Sequence, residues 1–167
     1  LIDFTIEAAL GSSFIDDVFV SSDSIRILKH ARKMNAKEII RPAEYATDTS
    51  NASDVVRHFH KELIISGYVN QDENFYLSYL QPTSPLRDSR IIDESFNLLF
   101  SSNQTSLISL TENKHSPYKS FSIDENQKAE SLFEESKSNE CRQKLPRTYR
   151  ANGAIYTFLI STFIENN

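Results

Sequence analysis

The sequence of 167 residues holds one cysteine, three glycines and no tryptophan. Cys141 is alone and cannot form an intrachain disulfide, which agrees with a reducing compartment. It reads as a structural or surface thiol, not as a nucleophile. Three glycines leave no room for a glycine-rich phosphate loop anywhere in the chain. No apolar run approaches the roughly 20 residues that a bilayer-crossing helix needs, so no membrane partner is expected. A stripe of one charge is missing too. The 18 Lys and Arg are dispersed among 23 Asp and Glu for a net charge of -5, and nonspecific nucleic-acid binding needs clustered positive charge. The opening Leu1-Ile2-Asp3-Phe4 carries no positive region followed by an apolar stretch and a small-residue cleavage site, so the expected compartment is the cytoplasm. No Cys/His spacing matches a zinc site, and no nucleophile elbow accompanies the serines and histidines. His58 and His60 are two residues apart on a predicted helix, about 200° around its axis, and cannot share a metal.

What is present reads as one compact α/β domain. Phe4, Ile6, Ala8, Ala9 and Leu10 suit a helix that stops near Gly11, and Val18-Phe19-Val20 suits a short buried strand. Ser22 or Asp23 can cap the next helix, whose apolar positions are Ile25, Ile27, Leu28 and Ala31. Ile39-Ile40 is a second strand, closed by Arg41-Pro42. Val55, Val56, Phe59, Leu63 and Ile64 form one helical stripe, and the run Phe75 to Leu80 is a third strand. Pro82 and Pro85 then forbid helix and ladder alike in the loop from Gln81 to Arg87. Asp88 can cap a helix with Ile91, Ile92, Phe96 and Leu99 inward, before strands at Leu107 to Leu110 and Ile155 to Phe158. The alternation predicts a mostly parallel sheet with helices on both faces. Ligands of such sheets sit beyond the carboxyl ends of the strands, where Ser21 to Asp23, Arg41 and Gln81 to Arg87 would gather. Residues 114–150 are polar and loosely patterned, an excursion from the sheet that reads as a flap or a dimerisation arm.

Single residues here are ambiguous. Arg41 alone reads as a surface arginine, and Thr83 and Ser84 as turn formers that bond their own backbone. Arg142, Arg147 and Arg150 are either a solvated face or a set of forks for carboxylate and phosphate.

The order of the pieces is more specific. The segments Val18 to Asp23, Ile40 to Asp48, Leu80-Gln81-Pro82-Thr83-Ser84-Pro85-Leu86-Arg87, Ser116 to Lys119, Arg142 to Pro146 and Tyr149 to Tyr156 resemble consecutive blocks of the CMP-N-acylneuraminate synthetases. They cover nearly the whole chain. Ser22, where the family usually has threonine, is a mild departure. The resemblance implies the three-layer Rossmann-like fold of the nucleotide-diphospho-sugar transferases. It also implies transfer of a cytidylyl group from CTP to a nonulosonic acid, a nine-carbon 2-keto acid sugar, with release of pyrophosphate and with magnesium.

By position, the resemblance makes Arg142 the catalytic arginine and Arg41 a nucleotide contact. Gln81 would face the acidic sugar with Thr83 and Ser84 beside it, and Tyr156 would line the sugar pocket. Asp23, Arg87 and Asn152 fall in the same blocks as further candidates. The family's phosphate loop and its magnesium-holding aspartates are expected outside residues 1–167, leaving a domain incomplete at both ends with no metal ligand of its own. A homodimer is expected from the 114–150 arm. Two other readings stay open: a non-catalytic binding or oligomerisation domain of the same fold, and a cytidylyltransferase for a related sugar such as legionaminate, pseudaminate or KDO.

Overall fold

The computed structural model describes residues 1–165. Contacts divide the chain into two compact units, Leu1–Ile108 together with the chain from Gly153 onward, and Ser109–Asn152. The sequence predicts one domain with an excursion at 114–150; by contacts, that excursion is a unit of its own.

In the first unit, α1 (Ile2–Leu10) ends on Gly11 and is followed by β1 (Phe19–Ser22), α2 (Ile25–Lys33) and β2 (Lys37–Ile40). The two strands pair in parallel, Phe19 opposite Lys37 and Ser22 opposite Ile40. The α2 cap falls on Ser24, one residue beyond the expected Ser22 or Asp23, and Ser22 Oγ instead accepts the Ser24 N–H at 3.1 Å. Next come α3 (Ala52–Ile65), β3 (Tyr76–Tyr79) and α4 (Ser89–Ser101). The predicted cap of α4 is in place: Asp88 Oδ1 accepts the Ile91 N–H at 2.9 Å. The chain continues into β4 (Ser106–Glu112), and returns along β7 (Tyr149–Leu159) to α6 (Ile160–Glu165). A second sheet has the order β3-β7-β4. β7 runs antiparallel to β3, with Tyr79 opposite Tyr156. Leu159 N–H to Thr105 O and Asn113 N–H to Thr148 O, at 2.8 and 2.9 Å, set it antiparallel to β4 as well. The parallel pairing that the sequence predicts is carried by β1 and β2, and β7 is the strand that reverses between β3 and β4.

Strand alternation decides which helix covers which face. Val20 of β1 packs with Ile6, Leu28, Ala31 and Ala36 of the α1 and α2 side. Its neighbour Phe19 turns the other way, its ring 5.3 Å from Phe59 of α3. The same switch occurs at β3. Tyr76 joins Ala8, Ile92, Phe96 and Ile155, while Phe75 meets His60 of α3 at 6.1 Å. Helices thus lie on both faces, and α1 supplies Ile6 to one apolar cluster and Ala8 to the other. Burying a side chain the size of Ile92 or Leu99, 0% and 1% exposed, contributes about 1.5–3 kcal/mol each.

The second unit holds the hairpin β5 (Phe121–Ile123) and β6 (Ala129–Ser131), with Phe121 opposite Ser131, and the one-turn α5 (Glu135–Ser138). Its turn is set by Asp124, whose Oδ1 accepts the N–H groups of Asn126 and Lys128 at 2.9 and 2.8 Å.

Candidate functional site

Parallel pairing of β1 and β2 puts both of their carboxyl ends on one edge, and the loops leaving that edge form a cleft of about 210 Å³. Asp23 follows β1 and Arg41 follows β2; both line the cleft, as do Tyr45, Thr47, Ser50 and Tyr79. Arg41 is held from below. Its Nε donates to Ser21 Oγ at 3.2 Å and one terminal nitrogen donates to Ser21 O at 2.5 Å. Its other terminal nitrogen has no hydrogen bond to a described residue, so half of the fork remains for a ligand.

The far wall is a braced loop. Thr47 N–H donates to Ser50 Oγ at 3.0 Å, Ser50 N–H donates back to Thr47 O at 3.1 Å, and Ser50 Oγ donates to Glu44 O at 3.3 Å. Asn51 then caps α3 by accepting the Asp54 N–H at 2.8 Å. The cleft therefore meets the positive end of a 14-residue helix beside a half-free guanidinium, a pairing that favours an anion. Behind Tyr45 stands His58, 8% exposed, with ring centroids 5.3 Å apart. His58 Nδ1 is buried without a partner among the described residues, and Nε2 lies 3.7 Å from Glu62. His58 thus backs an aromatic wall and His60 packs on Phe75, two different places, as their spacing requires.

Tyr79 links this cleft to the second group of candidates. It is the cross-strand neighbour of Tyr156, with ring centroids 6.3 Å apart, so both rings share a face. Two residues beyond Tyr79 the chain leaves β3 at Gln81, whose carboxamide makes no hydrogen bond to a described residue. Thr83 is exposed and Ser84 half-buried in the turn that follows, where Ser84 O accepts the Arg87 N–H at 3.2 Å.

Arg87 differs from the sequence expectation of a substrate contact. It is 5% exposed, and its guanidinium donates to Ala154 O at 2.6 Å, Gln81 O at 3.2 Å and Thr5 Oγ1 at 2.8 Å. Burial lowers its pKa, yet an arginine stays charged at any physiological pH. The fork is spent inside the protein, tying the exit of β3 and the middle of β7 to α1, and its Nε has no acceptor among the described residues.

Arg142 and Asn152 belong to the second unit. Arg142 is exposed and donates to the carbonyl of Lys114. Asn152 Oδ1 accepts the Ser109 hydroxyl at 2.6 Å. Among the described residues no group of three His, Cys, Asp or Glu comes together as a metal-binding set. The described side chains therefore offer no ligand set that fits the magnesium the resemblance implies. No helix among the described residues is long and apolar enough to cross a membrane.

Sequence reasoning thus named Asp23 and Arg41 in the cleft, and Tyr156, Gln81, Thr83 and Ser84 at the neighbouring strand ends. It missed Tyr79, Tyr45 and the brace from Thr47 to Asn51. Tyr79 was visible only as the strand residue two before the Gln81 loop; Tyr45 lay inside a quoted block without a role.

Three comparisons bear on this arrangement. An N-acylneuraminate cytidylyltransferase of Escherichia coli O18:K1:H7 is 39% identical over 98 residues, 59% of this chain and 22% of its own length. A pseudaminic acid cytidylyltransferase of Campylobacter jejuni is 25% identical over 168 aligned positions, spanning 100% of this chain and 70% of its own. This chain spans under a quarter of the first relative and about two thirds of the second. A solved CMP:2-keto-3-deoxy-manno-octonic acid synthetase in complex with CTP superposes with a TM-score of 0.62 at 16% identity, covering 99% of this chain and 65% of that one, and shares the fold. The sequence profile described as cytidylyltransferase matches residues 1–162, and on that match the chain belongs to the cytidylyltransferase family.

Proposed function

We propose that this chain carries the nucleotide- and sugar-binding core of an enzyme that joins CTP to a nonulosonic acid. The observation that carries the reading is the cleft at the carboxyl ends of β1 and β2, where Arg41 keeps half its fork free beside the capped start of α3. A nucleotide supplies what that cleft lacks: an anion for Arg41, hydroxyls for Thr47 and Ser50, and a flat base for the ring of Tyr45 or Tyr79. The sugar would lie towards Tyr156 and Gln81, whose open carboxamide can donate to a carboxylate and accept from a hydroxyl.

In the reaction, the anomeric hydroxyl oxygen of the sugar forms a bond to the α-phosphorus of CTP. The bond from that phosphorus to the bridging oxygen breaks, pyrophosphate leaves with the electron pair, and the hydroxyl proton is lost. Such transfers rest on alignment and on neutralising developing charge, the task we give to Arg41 and Arg142. The relatives named for N-acylneuraminate and pseudaminic acid support the sugar class. A homodimer through the second unit, whose Phe121, Ile123 and Leu132 are more than half exposed, and a cytoplasmic location complete the reading.

The test is CTP-dependent pyrophosphate release against a panel of N-acetylneuraminate, pseudaminate, legionaminate and KDO. One of these should support turnover, and Gln81→Ala should raise the KM for that sugar about tenfold while leaving the KM for CTP within twofold. Equal loss in both would refute the division of labour; no pyrophosphate with any of the four, alongside undiminished CTP binding, would favour a non-catalytic role.

A further inference from the structure

Gly153 sits in β7 with φ +77°, a conformation that favours glycine, and a Cβ built on it would lie 2.8 Å from Gln81 Oε1. Real Cβ atoms do not approach an oxygen that closely. The other side-chain atom of Gln81 near that position, Cδ, is at 3.7 Å, so the conflict is with the end of the carboxamide. The backbones on either side are fixed. Arg87, buried to 5% exposure, donates to Gln81 O at 3.2 Å and to Ala154 O at 2.6 Å, which pins the residue bearing the carboxamide and the residue after the glycine to one guanidinium. Neither strand can back away, so the carboxamide must.

From this geometry we infer that Gly153 is a positioning residue: the space left by its missing side chain seats the Gln81 carboxamide and so sets how the site presents it to the acidic sugar. The inference rests on the sugar-facing role proposed for Gln81. It explains why the turn of the chain at Gly153 coincides with a candidate ligand group, which a purely conformational need would not require. Gly67 makes the contrast. Its φ is +69°, yet a Cβ there meets nothing within 4 Å. Alanine at either position carries the same backbone strain, but only at Gly153 does it strike a functional side chain. Because the struck atom ends a flexible side chain, Gly153→Ala should fold and yield by moving the carboxamide.

The experiment compares Gly153→Ala, Gly67→Ala, Gln81→Ala and the double variant Gly153→Ala/Gln81→Ala in the ¹⁵N-labelled protein. The Gln81 side-chain amide pair is assigned by its disappearance in Gln81→Ala. It should shift in Gly153→Ala by more than any other side-chain amide and stay in place in Gly67→Ala, while the two glycine variants melt at similar temperatures. Titration with N-acetylneuraminate should show about tenfold weaker binding for Gly153→Ala, unchanged CTP binding, and no further loss when the glycine change is added to Gln81→Ala. An amide pair that does not move, or a sugar affinity lowered equally by Gly67→Ala, overturns the positioning role. If Gln81→Ala itself leaves the sugar affinity unchanged, the sugar-facing reading of Gln81 falls, and with it the function given to Gly153. If Gln81→Ala weakens the sugar but Gly153→Ala does not, that reading survives and the inference alone is lost.

Discussion

The two units of this chain are built on opposite terms. Outside residues 109–152 the apolar side chains Ile6, Leu28, Ile92, Leu99, Ile155 and Ile160 are each 2% exposed or less. Between Ser109 and Asn152 no described residue is buried, and Phe121, Ile123, Leu132 and Phe133 are 45% to 67% exposed. The first unit is a core with helices on both faces. The second is a hairpin and short turns held by backbone hydrogen bonds and the Asp124 turn, and a two-stranded hairpin by itself is marginal in water. An element that keeps its apolar residues outward is either unstable or covered by something, and exposed apolar patches mark association sites. That is the physical ground for proposing that a second copy of the chain covers it.

The largest expected effect tests this contrast at its base. Ile92→Ala, at a position with no exposure, should cost about 2–5 kcal/mol of unfolding free energy. Ile123→Ala, at a position 67% exposed, should change stability by less than about 0.5 kcal/mol in dilute protein. Urea unfolding of both variants over a hundredfold range of protein concentration is the measurement. Similar losses at every concentration would break the comparison. A loss for Ile123→Ala that grows with concentration would sharpen it, because burial supplied by a partner depends on mass action.

Function should invert that order. Arg142 is exposed, and its side chain bonds among the described residues to one carbonyl of its own unit, so Arg142→Ala should leave stability within about 0.5 kcal/mol of the parent. In the catalytic role proposed for it, it should nonetheless be worth about 10²–10³-fold in turnover. Steady-state pyrophosphate release decides the matter. Near-normal turnover would sink the role given to Arg142 and would leave the second unit with structural duties alone.

The same contrast governs what could be read from sequence. In the first unit, side chains repeat with the period of their element because one face meets a core. Val55, Val56 and Leu63 on α3 and Ile92, Phe96 and Leu99 on α4 were accordingly legible and are buried, whereas Ile91, expected inward with them, is 38% exposed at the edge of the stripe. The caps at Asp88 and Gly11 were local signals and came out where expected. In the second unit no described residue is buried, no period develops, and the hairpin from Phe121 to Ser131 left no trace in the pattern. Within the site, residues one or two places beyond a strand end were readable: Asp23, Arg41 and Gln81. The inward turn of Arg87 was not, since its acceptors come from Thr5, Gln81 and Ala154, three places far apart in sequence that only the folded chain brings together. Arginine in a ligand-rich block looks the same on paper whether its fork meets a ligand or a carbonyl.

The smallest effect concerns acid, and it falls on the first unit. Ser12 Oγ–H donates to Asp93 Oδ1 at 2.5 Å and Ser13 N–H donates to the same oxygen at 3.0 Å, a clasp between the end of α1 and the middle of α4. These bonds, the Ser12 hydroxyl foremost, hold the Asp93 carboxyl below its ordinary value of 3.8. Asp17 is lowered likewise, first by its bond from Lys37 and then by that from Tyr68. A carboxylate whose pKa is lower folded than unfolded binds its proton more readily in the unfolded chain. Its contribution is therefore whole above the unfolded value and is lost as pH falls through the folded one. Stability should accordingly hold from pH 7 to about 5 and decline below about 4, the ordinary carboxylate range. Ser12→Ala should flatten that decline without changing stability's sign of dependence on pH, read as urea midpoints from pH 7 to pH 2.5. A parallel downward shift of the whole curve, with the acid slope unchanged, would mean that the hydroxyl contributes packing or capping at α1 and not the ionisation of Asp93.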